Sequence, residues 1–482
     1  MKLFYHPIFL IFLYLLLHLS IRLIFDNSIQ VDDREQIISA QEILLGYDMP
    51  QPPLYSWLAY FFFKIFGVNL YALSILKYSL IFLTFIYIHK VANLVSNNIK
   101  NSSLITFSFL LMASFAWHMH QGFTHTVMLS LGIIMSTYYI LKIIQGENRN
   151  LWVFFMLGVS LAIGLLGKYS FILYLGLTFL VLLSNKKYRE KFTEARFSLT
   201  FLTLFSLILP HFIWLAENWN RIYSYASTRL AIENSSLSFL EVLNKLLLGG
   251  LGFLSPLIII LFFITFDKLF FKVRSSKKAC LNEIFFRNFF IYLFFALIIF
   301  ALFFDIKEVR VRWLHPILMI APFWFFLLIE RYDILSDKRI KFYLISGISF
   351  TFLVFAIRLL QNTVGPQFGY YGRLNIPINE TLKSIPLYDF GEISKIKTPD
   401  FNLGAHLFSV FKDKTIVIGN KAYGDESLIK NKKCLFLFDN DGSADSNKDE
   451  MEAKYGKFIE IKSKSLISNY KIYYKFLNSN KC

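Results

Sequence analysis

Long apolar runs broken by short polar loops fill the first 360 residues of this chain. Pro7 to Phe25, His125 to Ile144 and Leu246 to Phe266 approach or reach the roughly 20 residues that cross a hydrocarbon core. Phe289 to Phe304 is shorter but uninterrupted by charge. Each run meets charge within a few residues, as a membrane exit requires. The pattern predicts an α-helical polytopic membrane protein with about 11 transmembrane helices. Met1-Lys2 followed by an apolar run has the start of a signal peptide, but no small-residue cleavage site follows, so it reads as an uncleaved first span. Leu54 to Lys64 is apolar and aromatic, yet short for a span before Gly67. It predicts an interfacial helix with Trp57 and Tyr60 at headgroup depth.

Beyond Leu360 the pattern changes to short β-type runs separated by Gly, Asn, Asp and Lys. Strands are expected at Thr415 to Ile418, Cys434 to Phe438, Phe458 to Ile461 and Tyr470 to Phe476. The chain thus divides into a membrane domain over 1–360 and a small α/β domain over 361–482.

Composition supports the membrane reading: 55% of residues are hydrophobic and 17% charged, below the quarter usual in soluble domains. The formal net charge of +17 raises nucleic acid as a partner, but its distribution argues against that. Lys186, Lys187, Arg189, Lys191 and Arg196 cluster in one loop, and Lys268, Lys272, Arg274, Lys277 and Lys278 in another. The two loops lie an even number of spans apart, so the positive-inside rule makes both cytoplasmic. The acidic loop from Asp26 to Pro53, His118 to His125, Glu217 to Asn244, Asp305 to Arg310 and everything after about Gln361 then face the exterior. Cys280, Cys434 and Cys482 suggest neither a disulfide framework nor a metal site.

The first exterior loop carries most of the candidate chemistry: Asp32-Asp33, Gly46-Tyr47, then Gln51-Pro52-Pro53-Leu54-Tyr55. Adjacent carboxylates at a membrane interface are costly to desolvate. They read either as a general base with an electrostatic neighbour or as a solvated acidic loop. This order of motifs, with Leu165-Leu166-Gly167-Lys168-Tyr169-Ser170 and Val311-Arg312-Trp313-Leu314-His315-Pro316 further along, resembles the polyprenyl-phosphate-sugar glycosyltransferases of the GT-C superfamily. Within it, the pattern is similar to the bacterial 4-amino-4-deoxy-L-arabinose transferases and the protein O-mannosyltransferases. The resemblance implies an enzyme of a bacterial inner membrane, with its active site and terminal domain on the periplasmic side. Its donor would be a polyprenyl-phosphate sugar and its acceptor a lipid or an envelope glycan.

Residue by residue, the resemblance implies that Asp32 is the general base of an inverting displacement, with Asp33 where relatives commonly have Glu. The leaving group is an anionic lipid phosphate, so fixed positive charge is needed near the membrane surface. Lys168, Arg310 and Arg312 are the candidates, with Tyr55 in the same exterior region. One departure stands out: Thr126 occupies the place of an Asp found in many relatives. That puts a two-aspartate mechanism, and metal assistance built on it, in doubt, and leaves His125 as a substitute proton carrier or phosphate partner. His118, His120 and His125 lie close in sequence, but no local carboxylate completes a site for a divalent cation. Other readings predict different patterns. A lipid-linked sugar flippase or transporter would carry ionisable residues near span centres. A glycan polymerase or ligase would place its main functional loop late in the chain, whereas here the acidic loop comes first.

Overall fold

Long helices with few charges form wherever the apolar runs are long. Among the described residues six helices are long and apolar enough to cross a membrane, and four further apolar helices have 10–17 residues. The computed structural model describes residues 6–26, 28–29, 31–47, 51–96, 98–146, 150–220, 222–224, 237–270, 278–303, 311–372, 374–385, 393–419, 421–423, 433–440, 457–461 and 470–477. In chain order the helices are α1 (Pro7–Ile24), α2 (Val31–Ser39), α3 (Leu54–Phe66), α4 (Leu70–Val95), α5 (Ile99–Ser108), α6 (Ala113–Ala116), α7 (His125–Gln145), α8 (Leu151–Gly167), α9 (Phe171–Ser184) and α10 (Lys186–Phe192). They continue as α11 (Ser198–Glu217), α12 (Phe239–Leu254), α13 (Leu257–Phe270), α14 (Leu281–Phe303), α15 (His315–Leu318), α16 (Ala321–Arg331), α17 (Asp337–Thr363), α18 (Ile378–Lys383) and α19 (Phe401–Val410). The chain is an α-helical, multi-pass membrane protein with a small C-terminal sheet. Its contacts group into two units: Met1–Leu15, Leu44–Tyr55 and Lys77–Val354 form one, and Leu16–Ile43, Ser56–Leu76 and Phe355–Cys482 the other.

In the first unit α7 is buried along nearly its whole length, as a helix apolar on every side must be. α11 and α14 instead expose Phe201, Phe205, Phe212, Phe294 and Phe295, the outward apolar surface that lipid covers. Lipid tails are as apolar as leucine, so close backbone approach and buried hydrogen bonds must supply helix–helix affinity. Both are present. A Cβ on Gly132 of α7 would stand 2.5 Å from the Gly164 Cα of α8, and one on Gly158 would stand 2.7 Å from Thr203 Cβ of α11. Thr200 donates to the Phe154 carbonyl at 2.9 Å, and the Thr137 and Tyr174 hydroxyls pair at 2.8 Å. Side chains also cap carbonyls that helix ends leave without partners: Gln145 and Asn282 donate to Leu94 O at 2.8 and 2.9 Å.

Helix α3, at 13 residues, is far shorter than a membrane crossing. It ends at Gly67, whose φ of 79° is the left-handed conformation that glycine adopts without a Cβ penalty. Its exposed Phe61, Ile65 and Phe66 fit the expected interfacial helix.

The second unit holds a six-stranded sheet in the order β3-β2-β1-β4-β6-β5. The strands are β1 (Ile393–Thr398), β2 (Thr415–Ile418), β3 (Lys421–Tyr423), β4 (Lys433–Asn440), β5 (Lys457–Ile461) and β6 (Tyr470–Leu477). β1 runs parallel to β2 and β4, and the other pairs are antiparallel. β1, α19 and β2 make a crossover unit, drawn tight because Gly404 leaves space for Ile418; a Cβ there would meet its Cδ1 at 2.5 Å. The four strands expected from sequence are present. β1 and the three-residue β3 are additions. One expectation is corrected: Cys434 on β4 is disulfide-bonded, whereas three widely spaced cysteines suggested no bridge. Sequence spacing carries no signal for such a pairing.

Candidate active site

In the first unit the site grows from the turn between α8 and α9. Helix α8 stops at Gly167 because Lys168 turns extended, at φ −163° and ψ 132°. Glycine is required at 167, since a Cβ there would press within 2.9 Å of Met128 Cβ on α7. That approach brings the turn against the first residues of α7. Lys168 Nζ donates to Thr126 Oγ1 at 2.8 Å. His125 Nδ1 lies 3.2 Å from Gly167 O; a carbonyl only accepts, so Nδ1 carries the hydrogen and Nε2 is the basic nitrogen of the ring. The Tyr55 ring sits 5.9 Å from that of His125. Tyr55, His125, Thr126 and Lys168 are therefore brought together.

Thr126 accepts from the ammonium without carrying a charge of its own. The cluster also lies in the first turn of a 21-residue helix, whose N-terminus carries partial positive charge. A lysine at the start of a long helix is a recurring way to hold phosphate or carboxylate.

Two supports escaped the reading of the sequence. Ser130, one turn along α7, donates to Thr126 O at 2.8 Å and lies 2.7 Å from His315 Nε2. Its one hydrogen is committed, so His315 donates from Nε2 and its Nδ1 accepts from Ser114 Oγ at 2.9 Å. The imidazole stacks on Phe115 and meets Phe253 edge-on. His315 lies within the Val311 to Pro316 motif, which was its only sequence signal. The second support ties down the stretch after Leu44. His211 Nδ1 donates to Leu45 O at 2.8 Å and its Nε2 accepts from Tyr169 OH at 3.0 Å. Gly46 lies against Trp214, so that a Cβ would sit 2.1 Å from the indole, which accounts for the glycine of the Gly46-Tyr47 pair.

The neighbouring histidines are held by other partners. His120 lies between the hydroxyls of Tyr14 and Tyr78, at 3.0 and 3.1 Å. His118 stacks on Phe123, and burial lowers its pKa despite a hydrogen bond to the Ala113 backbone. Among the described residues no three His, Cys, Asp or Glu side chains converge as a metal-binding set.

In the second unit, the loop after the first span contains helix α2, which carries Asp32 and Asp33 in its first turn, where the helix dipole favours carboxylates. Their environments differ. Asp32 is half-buried, whereas Asp33 is buried and accepts from Arg22 Nη2 at 2.9 Å. Arg22 also donates to Ser28 O at 3.1 Å and lies 3.6 Å from Asp26. Arg358 of α17 completes the group, donating to Asp26 Oδ2 at 3.2 Å and to His18 Nδ1 at 2.9 Å. Ser56, the residue after Tyr55, donates to Gln36 of α2 at 2.8 Å. Helix α19 packs on α2, and its His406 is held by Asn379 at 2.9 Å. Burial, with Arg34 and Arg22 nearby, lowers the His406 pKa to about 3. Arg310 lies outside the described residues. Arg312 belongs to a short 3-10 turn, Val311–Leu314, but its side chain is likewise outside the described set.

Residues 50–214 match the dolichyl-phosphate-mannose-protein mannosyltransferase family. The lipopolysaccharide core galacturonosyltransferase RgtB of Rhizobium johnstonii is 26% identical over 76% of this chain and 73% of its own. The companion enzyme RgtA of the same organism is 22% identical over 84% of this chain and 80% of its own. In fold, the chain is similar to ArnT from Cupriavidus metallidurans bound to undecaprenyl phosphate. The TM-score is 0.61 at 11% identity, covering 96% of this chain and 98% of the other. The apo form of that protein gives 0.60.

Proposed function

We propose that this chain, a membrane glycosyltransferase of the GT-C superfamily, moves a sugar from a polyprenyl-phosphate donor to a lipopolysaccharide or related envelope acceptor. The observation that carries the proposal is the cationic α7 N-terminus, where Lys168, Thr126 and His125 meet at the Gly167 turn. A phosphate ester is the anion such a site suits, and the solved structure of similar fold holds undecaprenyl phosphate. The names of the two Rhizobium relatives favour a lipopolysaccharide core acceptor.

The reaction is a single inverting displacement. An acceptor hydroxyl attacks the anomeric carbon, the bond from that carbon to the phosphate oxygen breaks, and polyprenyl phosphate leaves with the electron pair. Asp32 takes the hydroxyl proton as general base. Lys168 stabilises the charge that grows on the leaving phosphate, Arg310 and Arg312 are further cations for it, and Tyr55 offers a ring face to the sugar. On this reading residues 1–360 form the catalytic membrane domain of an inner-membrane enzyme, and 361–482 a small periplasmic domain. The disulfide at Cys434 supports that side, because disulfides persist in oxidising compartments.

The test is transfer by purified protein in liposomes, offered labelled polyprenyl-phosphate sugars or nucleotide sugars, with extracted lipopolysaccharide as acceptor. The proposal expects label on the acceptor from a lipid-linked donor only. Transfer from nucleotide sugars would contradict it. So would movement of lipid-linked sugar across the bilayer without transfer.

A further inference from the structure

We propose that Asp33 is a positioning residue rather than a second catalytic acid, and that Arg22, Asp26 and Arg358 form with it the frame that aims Asp32. The inference rests on the reading of Asp32 as general base. Three observations carry it. Asp33 is buried with its Oδ2 on Arg22 Nη2 at 2.9 Å, a charge-assisted bond that fixes the side chain. Successive helix residues point about 100° apart, so seating Asp33 on Arg22 of α1 turns the half-buried Asp32 to a different direction. The frame is also doubly anchored: Arg22 holds Asp33 and Ser28 O, while Asp26 receives Arg358 at 3.2 Å and lies 3.6 Å from Arg22. Arg358 reaches His18, one turn before Arg22 on α1. Ser28 N donates to Leu374 O at 2.9 Å, so the segment leading into α2 is held by backbone as well.

The charges explain why such a frame survives burial. Two arginines face two aspartates, and loss of one member leaves an uncompensated charge in a site closed to water, whereas loss of a complete pair does not. A catalytic Asp33 and a positioning Asp33 therefore respond differently to removal of Arg22. If Asp33 only positions, Asp33→Asn leaves Arg22 and Arg358 sharing the charge of Asp26, and the matched Arg22→Met/Asp33→Leu variant removes both charges while the Asp26–Arg358 pair remains.

The experiment measures kcat, KM for donor and the pH profile of sugar transfer for wild type, Asp33→Asn, Arg22→Met and the double variant, with thermal melts in detergent as the folding control. The expected result is a fall in kcat of tenfold or more for each single variant. The double variant returns to within a few-fold of wild type, and the acid limb of the profile keeps its position. A folded double variant no more active than Asp33→Asn would overturn the proposal, since the carboxylate itself would then be needed. Should the double variant fail to fold, the residual activity of Asp33→Asn decides: an unmoved acid limb supports positioning, and a lost limb refutes it. Asp32→Asn, run alongside, separates the two ideas, because activity surviving in that variant defeats the general-base reading whatever Asp33 does.

Discussion

Replacing Lys168 with Met removes the ammonium that meets Thr126 at the α7 N-terminus while keeping most of the side chain's length and apolar stem. In the structure the ammonium donates to a hydroxyl, Thr126 Oγ1 at 2.8 Å, a bond that the methionine side chain gives up. Bound donor would lose more. A charge-assisted hydrogen bond to phosphate is worth roughly 1.5–3 kcal/mol, and about 1.4 kcal/mol is a factor of ten. The variant should therefore lose between about tenfold and about 150-fold in kcat/KM for the lipid-linked donor. Because leaving-group charge grows as the glycosidic bond breaks, part of that loss should appear in kcat. Lys168→Arg keeps charge but not the compact ammonium geometry, and should fall between the two. The assay is a donor titration at saturating acceptor, with the melting temperature of each variant measured in the same detergent. An unchanged kcat/KM for Lys168→Met, with the protein folded, would refute the assignment of this turn to the phosphate.

Two further perturbations test the framework. Gly132→Ala places a methyl 2.5 Å from the Gly164 Cα, and overpacking of that kind costs about 1–3 kcal/mol or more; a clear drop in melting temperature is expected, and an unchanged one would mean that α7 and α8 do not meet as described. His406 is buried with its pKa lowered to about 3, against about 6.5 when unfolded. The unfolded state thus binds more protons below pH 6.5, so local stability is whole above that pH and erodes as pH falls, by about 2 kcal/mol at pH 5. Hydrogen exchange over 401–410, corrected for intrinsic rates, should accelerate between pH 7 and pH 5, and equal protection at the two would contradict this.

Three of the long apolar runs, Pro7 to Phe25, His125 to Ile144 and Phe289 to Phe304, were legible as helices because a lipid environment writes itself as apolar length, whereas Leu246 to Phe266 divides between α12 and α13 at Ser255-Pro256. The sheet was legible wherever β-branched, aliphatic or aromatic residues dominate a run of four or more. β1 was missed because Lys395 and Lys397 interrupt its apolar pattern, and β3 because three residues carry no pattern at all. At the site, Lys168 was visible as a lysine beside a glycine between two apolar runs, but its distance to Thr126 depends on glycine contacts between helices that sequence alone does not pair. In the acidic loop, residue type alone did not separate Asp32 from Asp33; only the family resemblance did. In the structure one is half-buried and the other lies in an ion cluster whose second arginine is 332 residues from Asp26. A trace existed in the four-residue spacing of His18 and Arg22 on one face of the largely apolar α1, with Asp26 four residues further on, just past its end.

On the proposed mechanism Asp32 removes the acceptor's proton. The most direct measurement is radiolabelled sugar transfer from polyprenyl-phosphate donor by wild type and Asp32→Asn side by side, with both shown to insert and fold equally. Asp32→Asn should abolish transfer while retaining donor binding. Transfer at an undiminished rate would contradict it and send the search for the base elsewhere in the chain.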